Sequence, residues 1–375
     1  MVSNKLPWHG IPPFLPSYFP KGFVNSKCDS SLFIHRTSTS VTYLLIYVDD
    51  ILLTGNNFVH IQQLITHMHN AFSMKELGNI SYFLGISVQS TNPGYFLSQQ
   101  KYAKDILLKA GLSACKPCSS PISVKPHTPP NASLPFDNPA LYRSLVGALQ
   151  YLTITRPDLS LAVNQACQHM HAPTVGHFAA VKRILRFVQG TLSHGLYYTP
   201  SSFDLHGFSD ANWAGDIHDR KSISGYCVFL GDNLVSWSAK KQATVSRSST
   251  EAEYRALAHT AAELSWIIML LTEMGISSPT IPVLWCDNLS AMALASNPVF
   301  HSRSKHIEID CHFVRDKILA KQFVVQYIPT VDQLADLFTK PLSVSRFQYL
   351  KDKLMVFEQP ISLQGTVETT KPTVN

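Results

Sequence analysis

The alternation of apolar and polar positions divides the chain at a proline-rich stretch. Before it, VTYLLIYV (41–48) and ILL (51–53) read as two strands pinched around Asp49 and Asp50, a hairpin with acids at its tip. Residues 58–72 carry apolar positions at helical spacing, and 80–89 and 95–98 read as strands. Beyond the prolines, 139–151, 157–171 and 174–189 read as helices, a small helical module. From residue 205 the pattern changes to three successive strands, 205–209, 225–230 and 234–238, and then a long helix over 250–274. A strand (282–286), helices (288–295 and 305–319), a strand (323–328) and a last helix from Asp332 complete it. The order β-β-β-α-β-α-α-β-α predicts a mixed sheet covered by helices. From Ser343 the pattern weakens, and 361–375 holds too little apolar content to be other than disordered.

Composition narrows the classes. Proline concentrates in residues 1–20 and 112–140, and because proline can neither donate to a ladder nor sit inside a helix, the second stretch reads as a seam. A chain of 375 residues has room for two or three cores, and 45% hydrophobic with 15% charged residues excludes a mostly disordered chain. The longest apolar runs, 41–48 and 266–271, fall far short of the ~20 residues of a membrane span. The first 20 residues lack the unbroken apolar stretch of a signal peptide, so the seven cysteines read as reduced thiols. Cys115 and Cys118 have CxxC spacing, with no second pair to complete a zinc site. A net charge of +6 permits a polyanionic partner without demanding one.

The acids at the ends of apolar strands carry the chemistry. Asp210 closes LHGFS and Asp287 closes PVLWC. A carboxylate there meets desolvation without a solvated face to escape to, and two in one sheet suggest a shared cation. The long helix offers Glu251 and Glu253. At ~100° per residue its apolar stripe (Tyr254, Leu257, Ala258, Ala261, Leu264, Ile268, Leu271) has Glu253 roughly 50° from its centre and Glu251 more than about 100° away. Glu253 is therefore expected to face the sheet, and Glu251 to be a first-turn acid favoured by the helix dipole. In the last helix Asp336 lies on an apolar face beside Leu337, whereas Asp332 can serve as an N-cap. Four acids from two strands and two helices suit Mg²⁺ or Mn²⁺; on spacing alone they could equally be separate surface acids.

Longer motifs decide between these. GFSDANWAGD (207–216), VSWSAKKQATVSRSSTEAEYRAL (235–257), WCDNLSAMALASNPVFHSRSKHIEI (285–309) and YIPTVDQLADLFTKPL (327–342) together resemble the RNase H domain of copia-type LTR retrotransposon Pol polyproteins. Upstream, YVDDILLTG (47–55), KELGNISYFLGI (75–86), LSQQKYAKDILLKAGLSACKP (97–117), YRSLVGALQYLTITRPDLS (142–160) and HFAAVKRILRFVQGT (177–191) resemble the same family's reverse transcriptase. The resemblance implies an α+β / α/β chain: an incomplete reverse-transcriptase palm and thumb, a helical connection, then an RNase H-like mixed sheet with flanking helices. The implied segments are 1–20 divergent, 21–118 late palm and thumb, 119–138 linker, 139–200 connection helices, 201–342 RNase H-like, and 343–375 tail.

On that resemblance the catalytic and metal-binding carboxylates are Asp210, Glu253, Asp287 and Asp336, with Glu253 preferred again because Ala256 follows three residues on. The implied reaction is hydrolysis of the RNA strand of an RNA–DNA hybrid with two Mg²⁺ or Mn²⁺ ions. The mobile-loop histidine that many RNase H domains carry before the last helix is missing, and His301 and His306 read as structural. Asp49 and Asp50 match the polymerase pair, but the fingers and the earlier palm aspartate are not found in the 46 residues before Tyr47, so polymerase activity is not expected of this chain alone. Lys240, Lys241 and Arg247, with Ser248 and Ser249 at the helix start, are expected to meet hybrid phosphates. Trp213, Trp237, Trp266 and Trp285 read as core. Expected partners are the hybrid and other parts of a longer Pol product, with no membrane; the expected setting is the cytoplasm, in virus-like particles, or the nucleus, and not secretion. The alternative is a degenerate non-catalytic remnant with at most weak nucleic-acid binding.

Overall fold

Three β-sheets and the helices between them form a mixed α+β chain in the computed structural model, which describes residues 2–3, 22–48, 50–71, 75–125, 129–296 and 308–359. The first sheet holds β1 (Val2–Ser3), β2 (Phe23–Asn25), β3 (Leu32–Arg36), β4 (Val41–Tyr47), β5 (Asp50–Gly55) and β6 (Lys75–Glu76), in the order β2-β3-β4-β5-β1-β6. Thr42, Leu44 and Ile46 alternate inward along β4, as a half-buried strand requires. Ile65 and Met68 of the helix Phe58–Ala71 close over Leu44, Ile46 and Ile51.

The second sheet draws strands from distant parts of the chain: β7 (Tyr82–Phe83), β8 (Ile86–Thr91), β9 (Gly94–Ser98), β10 (His194–Tyr198) and β16 (Val356–Glu358), in the order β16-β10-β9-β8-β7. The strand expected over 80–89 is broken in two because Leu84 and Gly85 take positive φ, 47° and 74°. Gln100–Lys109 is a helix and His194–Tyr198 a strand, neither of which the sequence analysis assigned.

The helical module comprises Pro139–Leu152, Ser160–Cys167 after a 3-10 turn at Pro157–Leu159, and Val175–Gly190. Asn138 caps the first by accepting from the Leu141 N–H, and Thr174 and His177 form a capping box at the third. The proline-rich stretch is tied onto this module: the Phe136 N–H donates to the Pro173 carbonyl at 2.9 Å, and Arg183 donates to the Ser120 hydroxyl at 3.0 Å.

The third sheet contains β11 (Leu205–Asn212), β12 (Ile223–Leu230), β13 (Asn233–Lys241), β14 (Val283–Cys286) and β15 (Val324–Tyr327), ordered β13-β12-β11-β14-β15. The first three pair antiparallel, and β14 and β15 add in parallel. Along β12, Val228 packs under the long helix Ser249–Glu273 with Leu257, Ala261 and Leu264, while Cys227 and Phe229 point the other way. That opposite face joins one core with Leu107, Leu149, Leu185, Leu196, Phe338, Leu350 and Val356. The core thus crosses both the proline-rich stretch and residue 200.

The segment from Ser343 is not a weak tail. Ser343 accepts from the Arg346 N–H at 3.3 Å and caps a helix, Val344–Lys353, whose Phe347 and Leu350, with Leu354 just beyond, bury one stripe in that core. β16 then pairs antiparallel with β10. Residues 361–375 lie outside the described residues. Among the described residues, no helix is long and apolar enough to cross a membrane.

Candidate metal and nucleic-acid site

β11 and β14 run parallel with Ser209 opposite Cys286, so the next residues of both strands, Asp210 and Asp287, emerge side by side. β11 is longer than expected and carries Asp210 within the ladder, opposite Gly225 of β12. The first turns of the helix Ser249–Glu273 bring Glu253 to the same point. One carboxylate oxygen from each of Asp210, Glu253 and Asp287 lies within 4.8 Å of the others. Glu253 is fixed by the Ala211 N–H at 3.1 Å, Asp287 accepts from the Thr330 hydroxyl at 3.0 Å, and Asp210 accepts from the Thr339 hydroxyl.

Asp210 is 1% exposed and Glu253 8%. Burial pushes the Asp210 carboxyl up to about 6, with Asp336 and Asp287 adding to the rise and Lys340 and Thr339 opposing it. Burial, then repulsion from Asp210 and Asp287, pushes Glu253 up to about 9. An all-oxygen donor set with this much desolvation and mutual repulsion fits a hard divalent cation, which would relieve both.

Glu251, two residues away, takes no part. Its carboxylate pairs with Arg255 at 2.8 Å and accepts from the Arg247 N–H at 2.9 Å, as a first-turn acid should.

Asp336 is placed differently from expectation. The last helix from Asp332 is instead two 3-10 turns, Thr330–Asp332 and Leu334–Phe338. Gln333 breaks the run at ψ 103°: its side chain donates to the Ser209 carbonyl at 3.0 Å and accepts from the Ala335 N–H at 3.2 Å. Gln333 therefore caps the turn, not Asp332. Asp336 is buried but stands outside the three-carboxylate group; Lys340 meets it at 2.8 Å and Arg346 at 3.5 Å. The Lys340 ammonium also lies 3.4 Å from both oxygens of Asp210. Burial opposes the charge on Lys340, but Asp210 and Asp336 outweigh it and hold the ammonium above the ordinary lysine range. Lys340, Thr339, Thr330 and Arg346 were not among the residues expected from sequence to form the site. The i,i+4 spacing of Asp336 and Lys340 was the available signal.

The expected phosphate contacts divide. Lys240 and Lys241 end β13 instead of standing in a loop. Lys240, Arg247 and Ser249 are exposed, but Lys241 is ion-paired with Asp216 at 2.6 Å and Asp219 at 2.8 Å. The Ser248 hydroxyl is engaged as the helix cap, accepting from the Glu251 N–H at 3.1 Å. A cavity of about 570 Å³ opens here, lined by Lys240, Thr244, Arg247, Arg255 and His259 among others. Arg255 and His259, one helical turn apart beyond Glu251, were not singled out from sequence.

Trp213 and Trp266 are not core: they are 47% and 41% exposed, with their indole N–H groups donating to Ser246 and Cys28 carbonyls. Asp50 opens β5 opposite Tyr47 and joins no group of three metal-ligating side chains among the described residues. Asp49, His301 and His306 lie outside the described residues.

On strand order and direction, the C-terminal unit is an RNase H-like mixed sheet with flanking helices and an acidic cluster at the ends of its central parallel strands. Residues 17–124 match the family "Reverse transcriptase (RNA-dependent DNA polymerase)". Over 347 residues the chain is 46% identical to the Retrovirus-related Pol polyprotein from transposon RE2 of Arabidopsis thaliana, covering 92% of this chain and 24% of that protein. It is 46% identical over 342 residues to the corresponding polyprotein from transposon RE1 of the same plant, covering 91% of this chain and 23% of the relative. The chain belongs to the copia-type retrotransposon Pol polyproteins, and spans about a quarter of the length of these relatives. Among solved structures it is similar to the N-terminal RNase H domain of rv2228c from Mycobacterium tuberculosis, at 16% identity and TM-score 0.27, covering 40% of this chain and 98% of that one.

Proposed function

We propose that the C-terminal unit hydrolyses the RNA strand of RNA–DNA hybrids by RNase H-type chemistry, as part of a retrotransposon Pol product. The convergence of Asp210, Glu253 and Asp287 within 4.8 Å, in a chain of this family, carries the reading. These three would hold Mg²⁺ or Mn²⁺, with Asp336 flanking them. Bound divalent ions, two in this mechanism, supply an activated water and stabilise charge on the departing 3′ oxygen.

The protein's own residues prepare that chemistry. The Ala211 N–H and the Thr330 and Thr339 hydroxyls fix the carboxylates before any ligand arrives, so little reorganisation is left for the reaction. Lys240 and Arg247 are exposed cations on the cavity at the start of the same helix, whose lining also holds the Glu251–Arg255 pair and Asp310, and they would meet hybrid phosphates away from the scissile one. Recognition through backbone shape and 2′-hydroxyls suits an enzyme that must act on any sequence. On this reading the site of action is cytoplasmic, within the element's particles, or nuclear.

The test is cleavage of a labelled RNA–DNA hybrid by the full chain, with Mg²⁺ and with chelator. Mg²⁺-dependent cleavage of the RNA strand alone is expected. Cleavage that persists in chelator would overturn the assignment, and no cleavage with Mg²⁺ would favour a degenerate remnant.

A further inference from the structure

The four acids around the site carry four negative charges when ionised, and Lys340 and Arg346 return two positive ones. The remainder matches one divalent cation. Lys340 occupies a specific place in that balance: its ammonium lies 3.4 Å from both Asp210 oxygens and 2.8 Å from Asp336, bridging the one acid that belongs to the three-carboxylate group and the one that stands outside it. Glu253 and Asp287 have no lysine or arginine within ion-pair distance among the described residues, so the open side of the cluster faces them.

We propose that Lys340 is a displaceable counter-ion holding the second cation position. One divalent ion binds to Asp210, Glu253 and Asp287 with Lys340 in place, and a second binds only after the ammonium leaves the Asp210–Asp336 edge. This rests on the metal-site reading above. The side chain is built for the movement: it is 35% exposed, and its four-carbon stem can swing the charge to solvent or to a hybrid phosphate. Arg346, held by the Thr330 and Val331 carbonyls, stays on Asp336. The nucleic acid would then recruit Lys340 and free the edge in one event, so that the full metal complement assembles on substrate.

Mn²⁺ titration of the full chain, with free ion counted by electron paramagnetic resonance, tests this without any activity assay. The parent should bind one ion tightly and a second weakly. Lys340→Met should lower the second Kd by roughly a hundredfold, and Lys340→Arg should behave as the parent. Two equally tight ions in the parent, or an unchanged second Kd in Lys340→Met, overturns the proposal. Should Lys340→Met not fold, acetylation of the parent decides: Lys340 should resist acetic anhydride at one bound ion and react at two, and unchanged reactivity refutes displacement. Asp287→Asn separates the layers. If it leaves the first ion's Kd unchanged, the metal-site reading itself fails; if it abolishes the first ion while Lys340→Met changes nothing, only the counter-ion role fails.

Discussion

Glu253 accepts a hydrogen bond from the backbone N–H of Ala211 at 3.1 Å, which pins the long helix to the strand residue immediately after Asp210. Helix and strand are thereby locked in the register that makes the two carboxylates meet. Glu251, on the same helix, is bound to Arg255 and cannot replace it.

Glu253→Gln should therefore abolish the rise in Tm that Mn²⁺ gives the full chain, while Glu251→Gln should retain it. Losing the Glu251–Arg255 pair should lower the baseline Tm, because Glu251 is buried and also accepts from the Arg247 N–H, but should leave the Mn²⁺-induced rise intact. Thermal denaturation with and without Mn²⁺ distinguishes the two; equal behaviour would remove Glu253 from the site.

Asp287→Asn keeps the side chain's shape and its acceptor for Thr330 but deletes one anionic ligand. Hybrid cleavage should fall by about a hundredfold or more, while hybrid binding, measured by fluorescence anisotropy, persists through Lys240 and Arg247. Parent-like cleavage would mean that the carboxylate cluster is not the reacting centre.

Above about pH 7 the metal-free protein should lose stability as pH rises. There His60, His169, His177, His194 and His259, whose lowered values act in the opposite direction in acid, are neutral folded and unfolded alike. Asp210 and Glu253 are raised to about 6 and about 9, above their values in an unfolded chain near 4. The folded state therefore binds more protons across that window, and their contribution, complete below pH 4, is lost progressively up to pH 9. A divalent ion replaces those protons, so the Tm gained from Mg²⁺ should grow from pH 5 to pH 9. Calorimetry of both forms checks the sign, since the histidines cancel between them, and a Mg²⁺-induced gain in Tm that shrinks as pH rises would contradict it.

Gly225 lies opposite Asp210, and a Cβ there would stand 2.6 Å from Thr339 Cγ2 and 2.7 Å from Phe338 Cβ. Only a bare backbone lets the 3-10 turn close onto the sheet. Gly225→Ala should destabilise by about 1–3 kcal/mol in urea denaturation and loosen the Thr339–Asp210 contact. Leu350→Ala, in the shared core, should cost about 2–5 kcal/mol, which would confirm that the segment after Ser343 contributes to stability.

The legible parts were those where one period dominated. Tyr254, Leu257, Ala261 and Leu264 defined the helix stripe, and that stripe was enough to choose between two glutamates. The three strands of the antiparallel edge showed the same clarity, although their ends did not. Asp210 and Lys241 are ladder residues because pairing partners, Gly225 and Ile223, extend the strands past their apolar runs. Local pattern also failed where a distant contact overrode it. LADLF has a helical stripe, but the Gln333 amide is committed to Ser209, far away in sequence, and Pro341 forbids continuation. The partner of Lys340 across the site, Asp210, could not be inferred from spacing at all. In contrast, Phe347, Leu350 and Leu354 behind Ser343 did carry a helix signal in the sequence.

β10 has a temporal consequence. Leu196 sits between Leu97 on one side and Val356 on the other, so its two neighbours are made long before and long after it. During synthesis this strand leaves the ribosome with one edge bare and waits for residues 356–358 to emerge. Folding from the N-terminus onward cannot complete this sheet before residue 358 is made, and closing so distant a pair is slow. Until Val356 arrives, the nascent chain presents an open strand edge, the kind of surface on which neighbouring chains aggregate and which chaperones must cover.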